Sequence, residues 1–123
     1  MIDKSIDLNE ISFIGKGLSR PECVLVDKEQ TLHIADWRGG VTLIFPDGFQ
    51  QTIIANGDFK PKPNGIALHP EKGWLITHLG DDKGGVFKLD NEGNLFPILL
   101  EINGKPLPPT NYAVSYTHLR AHE

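Results

Sequence analysis

The amino-acid sequence predicts an all-β fold: a β-propeller, of which this chain holds about two four-stranded antiparallel blades and the start of a third. Three observations predict it. Short β-rich runs alternate with turn residues, the pattern returns after 40 to 50 positions, and no stretch keeps the 3.6-residue apolar spacing of a helix beyond a weak one at the N-terminus. The 13 Gly and 9 Pro are spread along the 123 residues, punctuating many short elements as a helical bundle would not.

The elements follow in order. ECVLVD (22–27) and TLHIAD (31–36) are strands joined by the polar KEQ. GVTLIF (40–45) follows Trp37-Arg38-Gly39, and the turn Pro46-Asp47-Gly48 leads into FQQTII (49–54). The same order then recurs as GIALHP (65–70), GWLITHL (73–79), GGVFKLD (84–90), the turn Asn91-Glu92-Gly93, and NLFPILL (94–100). Asn64 follows Glu22 by 42 positions, Leu75 follows Leu32 by 43, and Gly93 follows Gly48 by 45. Small insertions such as Asp81-Asp82-Lys83 account for the drift. A third start stands at Thr110-Asn111, 47 positions after Asn64. Four strands per 40–50 residues is the period of propeller blades. Residues 1–14 read as an N-terminal segment and 15–113 as the partial propeller. The ending SYTHLRAHE has no alternation and resembles a translated adapter peptide, so 114–123 are expected to be a non-native tail.

Composition excludes several functions. With 16 acidic against 12 basic side chains the net charge is −4, against the basic footprint of a nucleic-acid binder. The single cysteine, Cys23, excludes an intrachain disulfide and any multi-thiolate metal centre, and is expected to pack as a small hydrophobe. No apolar run approaches the roughly 20 residues of a membrane helix, and no signal peptide is read in MIDKSIDLNE. A cytoplasmic location without membrane or nucleic-acid partners is the expectation.

In a propeller the first strand of each blade lines the central channel, so side chains opening those strands converge at one mouth. Here they are Glu22, Asn64 and Asn111, all oxygen donors of the type a hard cation takes. The plainer readings are turn chemistry for Asn64-Gly65 and a solvated rim carboxylate for Glu22. His33, His69 and His78 lack zinc-type spacing and read as structural or exposed. Asp36-Trp37 reads as a blade-closing dipeptide with Trp37 packing at the core or rim. There is no G-x-S-x-G elbow, no phosphate-binding Gly loop and no EF-hand loop.

RPECVLVDKEQTLHIADWRGGV, KPNGIALHPEKGWLITHLGDDKGGVFKLDNEG and LPPTNYAV together resemble the opening blades of the gluconolactonase/regucalcin (senescence marker protein) family, over roughly residues 15–114. That resemblance implies a six-bladed propeller with a divalent cation in its channel and hydrolysis of sugar lactones and related cyclic esters. It implies Glu22 as a metal ligand and Asn111 as a substrate-side residue, 89 positions on. Asn64, at the equivalent place between them, is added as a second substrate-binding candidate. The cation expected first is Ca²⁺, with Zn²⁺, Mn²⁺ or Mg²⁺ as alternatives, and the partner is a lactone or sugar-acid derivative. The general base is expected beyond Glu123, which would leave the isolated chain an inactive fragment. Two other readings stand beside this one. The first is a non-catalytic ligand- or partner-binding propeller of the strictosidine-synthase-like or NHL-type kind. The second is a cupin-like or sandwich domain complete at this length.

Overall fold

A computed structural model of the chain describes residues 5–114; the expected tail over 114–123, apart from Val114, therefore lies outside the described residues. The architecture is all-β. Strands β1 (Val24–Val26), β2 (Leu32–Asp36), β3 (Gly40–Ile44) and β4 (Gln50–Ile54) form one antiparallel sheet in that order. A second four-stranded antiparallel sheet follows as β5 (Pro63–Leu68), β6 (Trp74–His78), β7 (Val86–Leu89) and β8 (Leu95–Leu99). A small hairpin, β9 (Glu101–Ile102) with β10 (Lys105–Pro106), closes the described elements, and a single 3₁₀ turn at Leu8–Glu10 opens them.

Both sheets are meanders, with short turns at every connection except the longer one between β6 and β7. In the first, Asp27 accepts the N–H groups of Glu29 and Thr31 on one carboxylate oxygen (2.9 and 3.0 Å), which fits Gln30 into its left-handed conformation. Asp90 caps the β7–β8 turn in the same manner and Asp47 accepts the Phe49 N–H in the β3–β4 turn, with Gly93 and Gly48 at positive φ.

The hydrogen-bonded turns set the register between the two units. The N–H of Asp27 bonds the carbonyl of Thr31, as that of His69 bonds Gly73; Phe45 bonds Phe49, as Asp90 bonds Asn94. The second strands are therefore offset by 42 positions and the third by 45. Leu32 corresponds to Trp74 and Ile34 to Ile76. Pairing Leu32 with Leu75, as the sequence comparison does, is a slip of one. The added residues all lie in the β6–β7 connection rather than partly before β6. A one-residue slip moves a strand's side chains to the opposite face, so the correction decides what packs on what.

The core is made of unlike faces. Ala35, Val41, Leu43 and Ile53 share one face of the first sheet, and Ile66, Trp74, Ile76 and Leu89 share one face of the second; together with Cys23 and Ala55 they form a single buried cluster. By the turn register, Ile66, Ile76 and Leu89 are the counterparts of Val24, Ile34 and Ile44, which lie on the other face of the first sheet. Successive sheets thus pack front to back. Trp74 sits fully within this interface, and its indole N–H donates to His33 Nδ1 across it (2.9 Å). His33 Nε2 in turn meets Asp27 Oδ2 at 2.8 Å, so both ring nitrogens are used structurally.

Much of the back of the first sheet is also buried, with Ile34, Thr42 and Ile44 enclosed, while Val24 and Val26 on β1 are exposed. Residues 15–19 run along it: Lys16 and Gln50 exchange two hydrogen bonds (3.1 and 2.7 Å), and the Trp37 N–H donates to the Ser19 carbonyl (2.8 Å). On that face Asp36 is fully buried and is bonded by Arg38 Nε and Nη2 (2.9 and 2.6 Å) and by the Thr42 hydroxyl (3.0 Å). Burial, the largest single influence on Asp36, pushes its pKa up. The bonds from Arg38 and Thr42 together outweigh it and leave the carboxyl below its ordinary value. The front of the second sheet, the counterpart of the first sheet's packed face, is more open, with Leu75 and Val86 half-buried and Phe96 and Leu99 exposed.

This arrangement makes neighbouring residues of β6 unequal. Ile76→Ala, in the sheet–sheet core, should cost about 2–5 kcal/mol, and Leu75→Ala on the open face about 1 kcal/mol or less, measured by urea unfolding. Equal costs would contradict the face assignment.

Candidate functional site

The site is built at the end where β1 and β5 begin and β2 and β6 finish. The chain crosses back to the start of each sheet over its predecessor's rim. The Leu79 N–H donates to the Lys62 carbonyl (2.9 Å), the counterpart of the Trp37–Ser19 bond. After β10 the chain repeats the crossing. Gly84 N–H bonds the Leu107 carbonyl (2.8 Å), Thr110 N–H bonds the His78 carbonyl (2.9 Å), and the Gly85 N–H donates to the Thr110 hydroxyl (2.9 Å). Residues 111–114 then lie beside β5.

These crossings bring Asn64 and Asn111 together. The Asn64 amide nitrogen donates to both the side-chain oxygen of Asn111 and its backbone carbonyl, the latter at 3.3 Å. Gly65 permits the approach. A Cβ there would lie 2.7 Å from Tyr112 Cα and 2.9 Å from the Asn111 carbonyl, closer than ordinary packing allows. Glu22, at the same repeated position, is placed differently. Its Oε1 accepts from Arg20 Nε and Nη2 (2.8 and 2.6 Å), both partners being substantially exposed. Such a rim pair contributes little stability but decides where the carboxylate points.

The surroundings are cationic and aromatic. The Arg20 guanidinium lies 4.3 Å from the Trp37 ring centroid and Lys62 Nζ lies 5.6 Å from it. Trp37 Nε1 is buried without a hydrogen-bond partner among the described residues. His78 accepts the Lys62 backbone N–H on Nδ1 (3.0 Å) and packs edge-on against Phe59 and Phe87. Burial, then the nearby Lys62 charge, hold the His78 imidazole below its ordinary pKa, with Asp81 opposing. An apolar cleft of about 410 Å³ runs along the first strands, lined by Leu25, Val26, Ile66, Ala67, Leu68 and residues 112–114.

The donor chemistry suits a hard cation in kind and only partly in number. Ca²⁺ takes six to eight oxygens. Here one carboxylate, already engaged by Arg20, stands with two amides bonded to each other. No group of three His, Cys, Asp or Glu able to hold a metal occurs among the described residues. Cys23 is buried as the sequence indicates, and His33 and His78 are structural. Two features escape the sequence reading. The Arg20–Glu22 pair depends on Arg20 adopting a positive φ of 49°, which no composition signal marks. The contact of Cys23 with Tyr112, 3.4 Å from sulfur to hydroxyl oxygen, was within reach. The phase aligning Glu22 with Asn111 also aligns the residues that follow them.

No protein-family model matches the chain, and no curated protein matches it.

Neutral His78 accepts a backbone N–H that its charged form cannot, so its contribution to stability is present above the ordinary histidine value and is lost as pH falls through the lower folded value. Between pH 7 and 5 the Tm of the native chain should drop further than that of His78→Asn, whose side-chain oxygen keeps an acceptor at that place. Parallel pH profiles by differential scanning calorimetry would remove His78 from this account.

Proposed function

We propose that the two sheets are blades of a β-propeller of the lactone-hydrolase kind, and that Glu22, Asn64 and Asn111 belong to the polar mouth of its channel. One observation carries the reading. The side chains at the repeated first-strand position, Asn64 and Asn111, meet in hydrogen-bond contact although 47 residues separate them. The front-to-back packing of the sheets supports it, because that is how blades succeed one another around a ring.

The two amides supply donors and acceptors at one place, suited to the hydroxyls and ring ester of a sugar lactone. Glu22 is the residue proposed to give a carboxylate to a divalent cation, Ca²⁺ before Zn²⁺, Mn²⁺ or Mg²⁺, with the remaining oxygens supplied by further blades. A bound dication polarises an ester carbonyl. Asn64 and Asn111 orient the substrate, and neither is a nucleophile. Freeing Glu22 from Arg20 is the rearrangement the site requires.

In a closed ring that includes these sheets, calcium at about a hundred times its Kd should stabilise the fold by roughly 2.7 kcal/mol, since it binds the native state alone. Glu22→Gln should abolish that gain, and Asn111→Ala should lower lactone hydrolysis by at least about tenfold, as loss of a substrate hydrogen bond does. A calcium response unaltered by Glu22→Gln would sink the assignment. Ligand binding that survives chelation, with no lactone turnover under any divalent metal, would favour the non-catalytic binding propeller instead.

A further inference from the structure

Tyr112 spans the two preceding first strands. Its Cα and ring edge lie over Gly65 of β5, where any Cβ would meet them at 2.7 and 2.9 Å. Its hydroxyl reaches the sulfur of Cys23, the residue before β1, at 3.4 Å. Cys23 is buried, and its thiol also reaches the Ile66 carbonyl at 3.8 Å. The bonding is internally consistent: the thiol hydrogen goes to the Ile66 carbonyl, leaving the sulfur lone pairs for the tyrosine hydroxyl. The starts of β1 and β5 and the segment 111–114 are therefore tied through one sulfur atom.

We propose that Cys23, Gly65 and Tyr112 form a clasp that positions the mouth residues, each of the three following directly after Glu22, Asn64 and Asn111 respectively. The clasp sets how far the third segment stands from the first two, and so where the Asn111 amide lies against Asn64. These are positioning residues; none need touch a ligand. That Asn111 serves a substrate rests on the functional reading above, whereas the clasp itself does not.

The test uses the full chain, in which Cys23 is the sole thiol. In ¹⁵N-labelled protein, Tyr112→Phe should shift the Asn111 side-chain amide resonance and raise the rate of Cys23 modification by an aromatic disulfide reagent about fivefold, the effect expected from one lost hydrogen bond. Gly65→Ala should do both more strongly, by displacing the segment. Cys23→Ala should shift the same amide resonance, and Cys23→Ser, which keeps a hydrogen-bonding atom, should restore it. A second signature is spectroscopic. The hydrogen bond to Cys23 and the charge of its ionised thiol group hold the Tyr112 hydroxyl above its ordinary pKa, so its tyrosinate absorbance should appear at lower pH in both Cys23→Ala and Cys23→Ser, neither of which can supply that charge. An Asn111 resonance that ignores Tyr112→Phe, Gly65→Ala and Cys23→Ala, or a Cys23 that reacts at the native rate in both Tyr112→Phe and Gly65→Ala, overturns the clasp. Neither readout involves a cation or hydrolysis, so failure here and failure of the lactone reading are separately visible.

Discussion

The structure depends on one constraint: the front of each sheet is complementary to the back of the next. Ala35, Val41 and Leu43 present small and branched surfaces, and Trp74, Ile76 and Leu89 fill them. Because the surfaces are unlike, the two sheets cannot pair as a symmetric sandwich. The second must follow the first with a constant sense, and its own front remains for something else. Everything at the mouth inherits this. The first strands lie side by side only because their sheets stack in this order, and the residues opening them meet only because those strands do.

The polar elements embedded in this packing are saturated by local partners. Asp36 is enclosed but receives Arg38 and Thr42, and the Asp27–His33–Trp74 chain crosses the interface with both imidazole nitrogens occupied. Such groups lock register and are chemically idle. The mouth is the opposite case. Its carboxylate is held by an exposed arginine, and its two amides are satisfied by each other. Both arrangements are exposed, and little desolvation has been spent on them.

Much of the fold was legible. The strands and their turns are local matters: Asp and Gly at fixed places specify hairpins through hydrogen bonds within a few residues. Register between units was legible only to within one residue, because Leu32-His33-Ile34 resembles both alignments and the insertion's place is set by the turns. The β9–β10 hairpin had a signal that went unread, Asn103-Gly104, which adopts two positive φ angles. At the mouth, the phase of the repeat was enough to unite Asn64 with Asn111. The orientation of Glu22 was not legible, since it follows from a backbone angle at Arg20 and a stacking contact with Trp37 brought from another turn.

Front-to-back complementarity has an evolutionary corollary. When a segment encoding such a sheet is copied in tandem, the copy arrives with a surface already matched to its parent, and no new interface has to be invented. Paralogous growth is then limited by ring geometry rather than by recognition. The positions that drift apart first should be those, like Val24 and Phe96, that stand outside the buried contact.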